Sequence, residues 1–167
     1  DFVYGASAFQ LGKIEEAEIE LQGYLDNYPE GSRLEPATFY LGLTKVTQFK
    51  WQDAADVLNT FIERYPQSAM IPDVLFQCAL SEFMLNQNAA SLAKAERVIS
   101  EFPESQNIAR AWNLKGDILA SEEREYGEVT SCYLTAKDLA KRLPGEEETA
   151  AYSLWQLLIH SGDAEDF

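Results

Sequence analysis

The chain has 167 residues, 46% of them hydrophobic and 25% charged, proportions that suit a folded protein and not a disordered one. Its formal net charge of −15 disfavours DNA, RNA and anionic membrane surfaces, whose binding begins with Lys and Arg contacts to phosphate. A basic partner, or an apolar one with a neutral rim, fits this charge, which also serves as a solubilising surface.

Cys78 and Cys132 are too few and too far apart for a disulfide framework or a zinc site, and both fall on apolar helix faces where a free thiol acts as a small hydrophobe. No apolar run approaches the roughly 18 residues of a membrane span, so no direct membrane insertion is expected. The chain opens at Asp1 without a signal-peptide pattern and already inside a helical one, so a single solenoid spanning 1–167, cut from a longer chain, is the expectation.

Helices are expected near 1–11, 14–28, 34–48, 51–65, 70–86, 90–102, 107–121, 127–142 and 147–160. In the second, Ile14, Ala17, Leu21, Tyr24, Leu25 and Tyr28 form one apolar face that stops at Pro29. Ser32 with Glu35 reads as a capping box for the third helix, and Pro36 is tolerated in its first turn. The fourth repeats the apolar face through Ala54, Val57, Leu58, Phe61, Ile62 and Tyr65 and stops at Pro66. Ser68 and Ser105 are candidate starts for the fifth and seventh helices. The eighth carries Val129, Cys132, Tyr133, Ala136, Leu139, Ala140 and Leu143 before Pro144.

These elements repeat. Pro29, Pro66 and Pro103 are 37 residues apart, and Pro144 follows after 41. Gly5, Gly42, Ala79 and Gly116 keep the 37-residue period with small residues throughout. Ala17, Ala54, Ser91 and Cys132 form a third series, which places four extra residues between Gly116 and Cys132, in the polar stretch Ser121–Gly127. Small residues at a fixed period are what close helix packing requires, because two antiparallel helices approach only where one offers Gly or Ala to a large side chain of the other. No single pair buries its apolar face alone, so stacked pairs, about four repeats and part of a fifth, are expected.

No catalytic centre is expected. His160, the single histidine, has no Ser, Cys or Asp at a spacing that would make it a base, and reads as a solvated or helix-end residue. No Gly-rich phosphate loop is present, and Glu15-Glu16, Glu122-Glu123 and Glu146-Glu147-Glu148 lack the alternating oxygens and Gly of a calcium loop. No cofactor or metal is called for.

Leu41-Gly42 in a first helix, Ala54 in a second and Pro66 closing the pair together resemble the tetratricopeptide family, as does the turn Leu11-Gly12-Lys13-Ile14-Glu15-Glu16-Ala17. Gly162-Asp163-Ala164-Glu165 resembles a second such turn. The departures are Ser91 and Cys132 in place of Ala, Lys45 where an aromatic is usual, and the lengthened fourth repeat. The long period with its Tyr65-Pro66-Gln67-Ser68 link is similar to a bacterial envelope subgroup, the outer-membrane assembly lipoproteins and Tol–Pal coordinator proteins. The resemblance implies an all-α right-handed superhelical solenoid of antiparallel pairs, and a periplasmic protein-binding adaptor rather than a cytoplasmic one.

In that family the first helices line a concave face. Carried onto this chain, the groove would hold Phe2, Ala6 and Phe9, then Phe39, Leu43 and Val46, then Phe76, Leu80 and Phe83, then Asn113, Asp117 and Ala120. The partner-binding candidates are Phe39, Leu43, Val46, Phe76, Leu80 and Phe83, suited to an apolar or basic protein segment. Family members that grip a C-terminal carboxylate need cations there, and an apolar groove would strip that anion of water without replacement. The alternative is a structural spacer or self-association segment, with these residues packed in the core.

Overall fold

The computed structural model describes residues 1–164, with side chains through Ser161. Among the described residues there are nine α-helices and no strand: α1 (Phe2–Gln10), α2 (Ile14–Asn27), α3 (Leu34–Thr47), α4 (Trp51–Arg64), α5 (Ile71–Met84), α6 (Asn88–Glu101), α7 (Ile108–Ser121), α8 (Tyr126–Ala140) and α9 (Glu147–Ala164). The all-α helical repeat expected from the sequence is the fold observed. The chain forms two compact units, Asp1–Gln87 and Asn88–Phe167.

In the first unit, Ala8, Ala17, Leu21, Ala37 and Leu41 form a core that Phe2, Phe9, Tyr24, Leu25, Tyr40 and Val57 close over. Gly5 and Gly42 supply the expected notches. A Cβ at Gly5 would stand 2.8 Å from Leu21 Cγ, and one at Gly42 would stand 2.9 Å from Leu58 Cγ, both inside contact distance. In the second unit Leu119, Val129, Cys132 and Tyr133 form the core, with Trp112, Ala120, Tyr152 and Leu157 packed on it. The Gly116 notch there takes the ring of Tyr133, 2.7 Å from where a Cβ would lie.

The turn inside each helix pair is the most regular part of the molecule. Gly12, Phe49, Asn86 and Glu123 all hold positive φ, at 73°, 58°, 58° and 54°, and stand 37 residues apart without exception. The next amide closes a six-to-one hydrogen bond each time: Lys13 N–H to Ala8 C=O, Lys50 to Lys45, Gln87 to Glu82 and Arg124 to Leu119, at 2.8 to 3.0 Å. Glycine adopts this conformation freely at position 12, whereas Phe49 and Glu123 bear the left-handed penalty of about 1–2 kcal/mol.

Since Glu123 keeps the period, the four extra residues of the fourth repeat come after it. One lies between Glu123 and α8, one lengthens α8, and two lie between the end of α8 and Pro144. This corrects the placement of all four before Cys132. Leu21, Leu58 and Tyr133 each stand seven residues after the first residue of their helix, so α8 is in register from its start. The counterpart of Ala17, Ala54 and Ser91 is therefore Val129, and Cys132 matched them only by numbering.

Two further expectations are corrected. Ser32 and Glu35 form no capping box; the residue before α3 is Arg33, and its side chain caps nothing. The reason is register: Ser68 and Ser105 accept from the amides of Met70 (3.0 Å) and Asn107 (3.1 Å), and the residue one period before Ser68 is Gly31. A Cβ at Gly31 would lie 2.6 Å from Tyr24 Oη. That phenol takes the serine's role, accepting the Arg33 amide at 3.2 Å. The turn expected at Gly162-Asp163-Ala164-Glu165 does not form over its first three residues, since α9 stays helical through Ala164 and helical bonds satisfy the same backbone groups. Glu165 lies outside the described residues.

Candidate interaction surface

The first unit sets α3 beside α1 and α5, so equivalent positions on these helices come to neighbouring places. Phe39, Leu43 and Val46 stand five, nine and twelve residues after the start of α3, and Phe76, Leu80 and Phe83 stand at the same offsets in α5. Five of the six are partly buried, and Phe76 is buried, with 8% of its surface exposed. Phe39 is anchored by its neighbours, its ring edge-on to Tyr40 at 5.6 Å and tilted against Phe61 of α4 at 6.3 Å. Phe2 and Phe9 of α1 also pack on Tyr40, at 6.4 and 5.7 Å. The stripe is therefore an aromatic and aliphatic strip that is half sunk in the unit, with Phe76 as its floor.

Charge stands apart from this strip. Lys45 sits between Glu18 (2.6 Å) and Asp53 (3.5 Å), and Lys50 also reaches Glu18 (2.8 Å). Hydrogen bonds from Lys45 and then Lys50 hold the Glu18 carboxyl down at about 2. Sequence reasoning noted Lys45 as a departure; its ammonium replaces the usual ring with an ion pair that joins α2 to α3.

The polar step of the fourth repeat has a different use from the one expected. Asn113 and Asp117 turn toward α9. The Asn113 amide donates to Thr149 C=O (3.3 Å), its carbonyl accepts from Ser153 Oγ (2.8 Å), and Asp117 accepts from both Tyr133 and Tyr152 hydroxyls at 2.8 Å. Arg110 extends the row with a two-point pair to Glu146, at 3.0 and 2.7 Å, and Thr149 also donates to Glu146. Burial pushes the Asp117 carboxyl up to about 6, against the downward pull of the two phenols. The same surroundings push the Tyr133 and Tyr152 hydroxyls up. His160 lies within α9 and stacks on Tyr133 at 5.8 Å and 13°.

Among the described residues no group of three or more His, Cys, Asp or Glu could hold a metal ion. No described helix is long and apolar enough to cross a membrane. Cys78 and Cys132 are both buried.

A family model described as YfiO, outer membrane lipoprotein, matches residues 39–157. No curated protein matches the chain by sequence. Among solved structures, the crystal structure of MamA protein is similar at 16% identity and a TM-score of 0.70, over 99% of this chain and 92% of that one. PlcR of Bacillus thuringiensis, solved with the peptide PapR7 and DNA, is similar at 17% identity and a TM-score of 0.71, over 92% of this chain and 58% of its own. A MamA RS-1 ArsTM double mutant gives 16% identity and 0.68, over 98% and 93%. At these identities the likeness is one of fold, and it is a tetratricopeptide-type fold.

Proposed function

The chain belongs to the YfiO family of outer membrane lipoproteins, and on that premise we propose that it is a protein-interaction adaptor of the bacterial cell envelope. Its first unit would hold an apolar segment of a partner along Phe39, Leu43, Val46, Leu80 and Phe83, over the floor made by Phe76. The observation that carries this reading is that α3 and α5 present apolar residues at the same three offsets and leave five of the six partly exposed. A strip of this kind suits an extended or helical apolar segment. The net charge of −15 favours a segment with basic or neutral flanks. PlcR, of similar fold, was solved with a peptide, which supports the class of ligand and nothing finer.

A photo-crosslinking residue at Leu43, compared with one at Asp56 on the exposed side of α4, tests the reading in cells. A defined envelope protein captured at position 43 and absent at 56 is the expected result. The second reading, a spacer or self-association segment, is favoured by the burial of Phe76. Capture of other copies of this chain alone, or equal capture at both positions, would establish it instead.

A further inference from the structure

The second unit carries an apolar face that the stripe does not include. α9 packs one side through Tyr152, Ser153 and His160, which meet Asp117, Asn113 and Tyr133. Its other side bears Leu154, Trp155, Leu158 and Ile159, exposed by 47%, 56%, 71% and 40%. These residues fall at i, i+1, i+4 and i+5, and so form one strip along the helix. Glu147 and Glu148, both exposed, stand on the same face seven residues before Leu154 and Trp155. We propose that this face of α9 binds a basic amphipathic helix of a partner protein.

Three features choose that occupant. The first is shape. The strip is four side chains long and one helix wide, which suits a single docked helix.

The second is charge. Glu147 and Glu148 are exposed on this face, and the sequence has no Lys or Arg after Arg142. A second copy would bring the same two carboxylates, whereas Lys and Arg beside an apolar face would meet opposite charge.

The third is register. Gly42, Ala79, Gly116 and Trp155 each stand eight residues after the start of α3, α5, α7 and α9. Where the earlier helices offer a small residue to the helix packed closely on them, α9 offers an indole, held at 6.0 Å from the Tyr152 ring. A helix lying on this face therefore packs over Trp155 at a greater distance than the repeat's own pairs, which separates this occupant from another repeat helix.

Replacing Trp51 and Trp112 by Phe leaves Trp155 as the sole tryptophan of the 167-residue chain, read by excitation near the red edge of indole absorption. The probe is an 18-residue synthetic helix with Leu and Phe on one face and Lys on the other, set against a twin in which every Lys is Glu. The basic peptide should bind saturably, shift Trp155 emission to the blue and lose at least tenfold in affinity in the uncharged variant Leu158→Asn. The acidic twin should not bind. Binding unchanged by Leu158→Asn would be non-specific attraction to an acidic chain, and the proposal would fail. It would fail equally if sedimentation showed a dimer that Leu158→Asn dissolves. A longer natural chain whose own following residues bury Trp155 and block the peptide would also overturn it. None of these outcomes touches the stripe of the first unit, whose test stands at Leu43.

Discussion

Gly42 and Leu58 meet at a separation that only a missing side chain permits, since a Cβ on the glycine would lie 2.9 Å from Leu58 Cγ. Leu58 is fully buried and cannot swing into solvent. Gly42→Ala should thus cost about 1–3 kcal/mol through overpacking, and Gly42→Leu more. Gly23, by contrast, is inside α2 with nothing within 4 Å of its added Cβ. Gly23→Ala should stabilise by about 0.5–1 kcal/mol, the helix-propensity gain alone. Chemical denaturation of the two variants measures both signs, and a common sign would show that the notch is not what limits position 42.

Phe76 and Leu43 share the stripe but differ in depth. Phe76→Ala should lose about 3–5 kcal/mol of stability, because the ring is buried and its removal leaves a cavity. Leu43→Asn should leave the melting temperature within a few degrees while weakening the captured partner by about 2 kcal/mol or more. If Leu43→Asn unfolds the first unit as Phe76→Ala does, the stripe is core and the spacer reading holds.

Asp117 gives the second unit a pH dependence of definite sign. Its carboxyl titrates near 6 when folded against 3.8 unfolded, so the folded state binds the proton more tightly. Stability falls as pH rises from about 4 to 6 and stays lower above that, by roughly 3 kcal/mol for a shift of this size. The groups facing it are the Tyr133 and Tyr152 hydroxyls, which stay protonated across this range, and His160, whose charge would oppose the effect. Asp117→Asn keeps an acceptor for both phenols and should flatten the profile. Glu18 works in the opposite direction: its pairing stabilises the first unit above about 4.5 and is lost as pH falls toward 2.

Tyr24→Phe removes the acceptor that replaces a serine in the first link. The Arg33 amide loses this side-chain acceptor, at an expected cost of about 0.5–1.5 kcal/mol. Ser68→Ala and Ser105→Ala should cost similar amounts at the equivalent amides. Amide exchange at Arg33, Met70 and Asn107, read residue by residue, should quicken only at the position whose acceptor was removed.

The repeat was legible because packing writes it into composition: Leu21, Leu58 and Tyr133 leave no room for anything but glycine opposite. What could not be read depends on groups distant along the chain. The capping box at Ser32 failed because the acceptor came from Tyr24, a residue of the preceding helix. Asn113 and Asp117 read as groove lining because their partners Thr149, Ser153 and Tyr152 lie 35 to 40 residues ahead. The stripe itself was located through a family resemblance, and its depth, with Phe76 sunk and Phe39 braced on Phe61, required the packed helices.

The left-handed turn residues have a consequence for how such a chain can vary. From the start of α3, α5 and α7 to Phe49, Asn86 and Glu123 the distance is always fifteen residues, while the four extra residues of the fourth repeat all come after Glu123, in the turn, in α8 and in the link that follows it. The ascending half of each pair acts as a ruler and the descending half as the slack. Because the turn is fixed by two backbone bonds, it holds glycine, phenylalanine, asparagine and glutamate in the same geometry, and its side chain can change without altering the spacing, at the left-handed cost already noted for Phe49 and Glu123. Epitope tags or extra residues placed just after Glu123 should therefore be tolerated, whereas a single residue inserted between Leu34 and Phe49 would rotate Gly42 away from Leu58 and break the pair at its closest point.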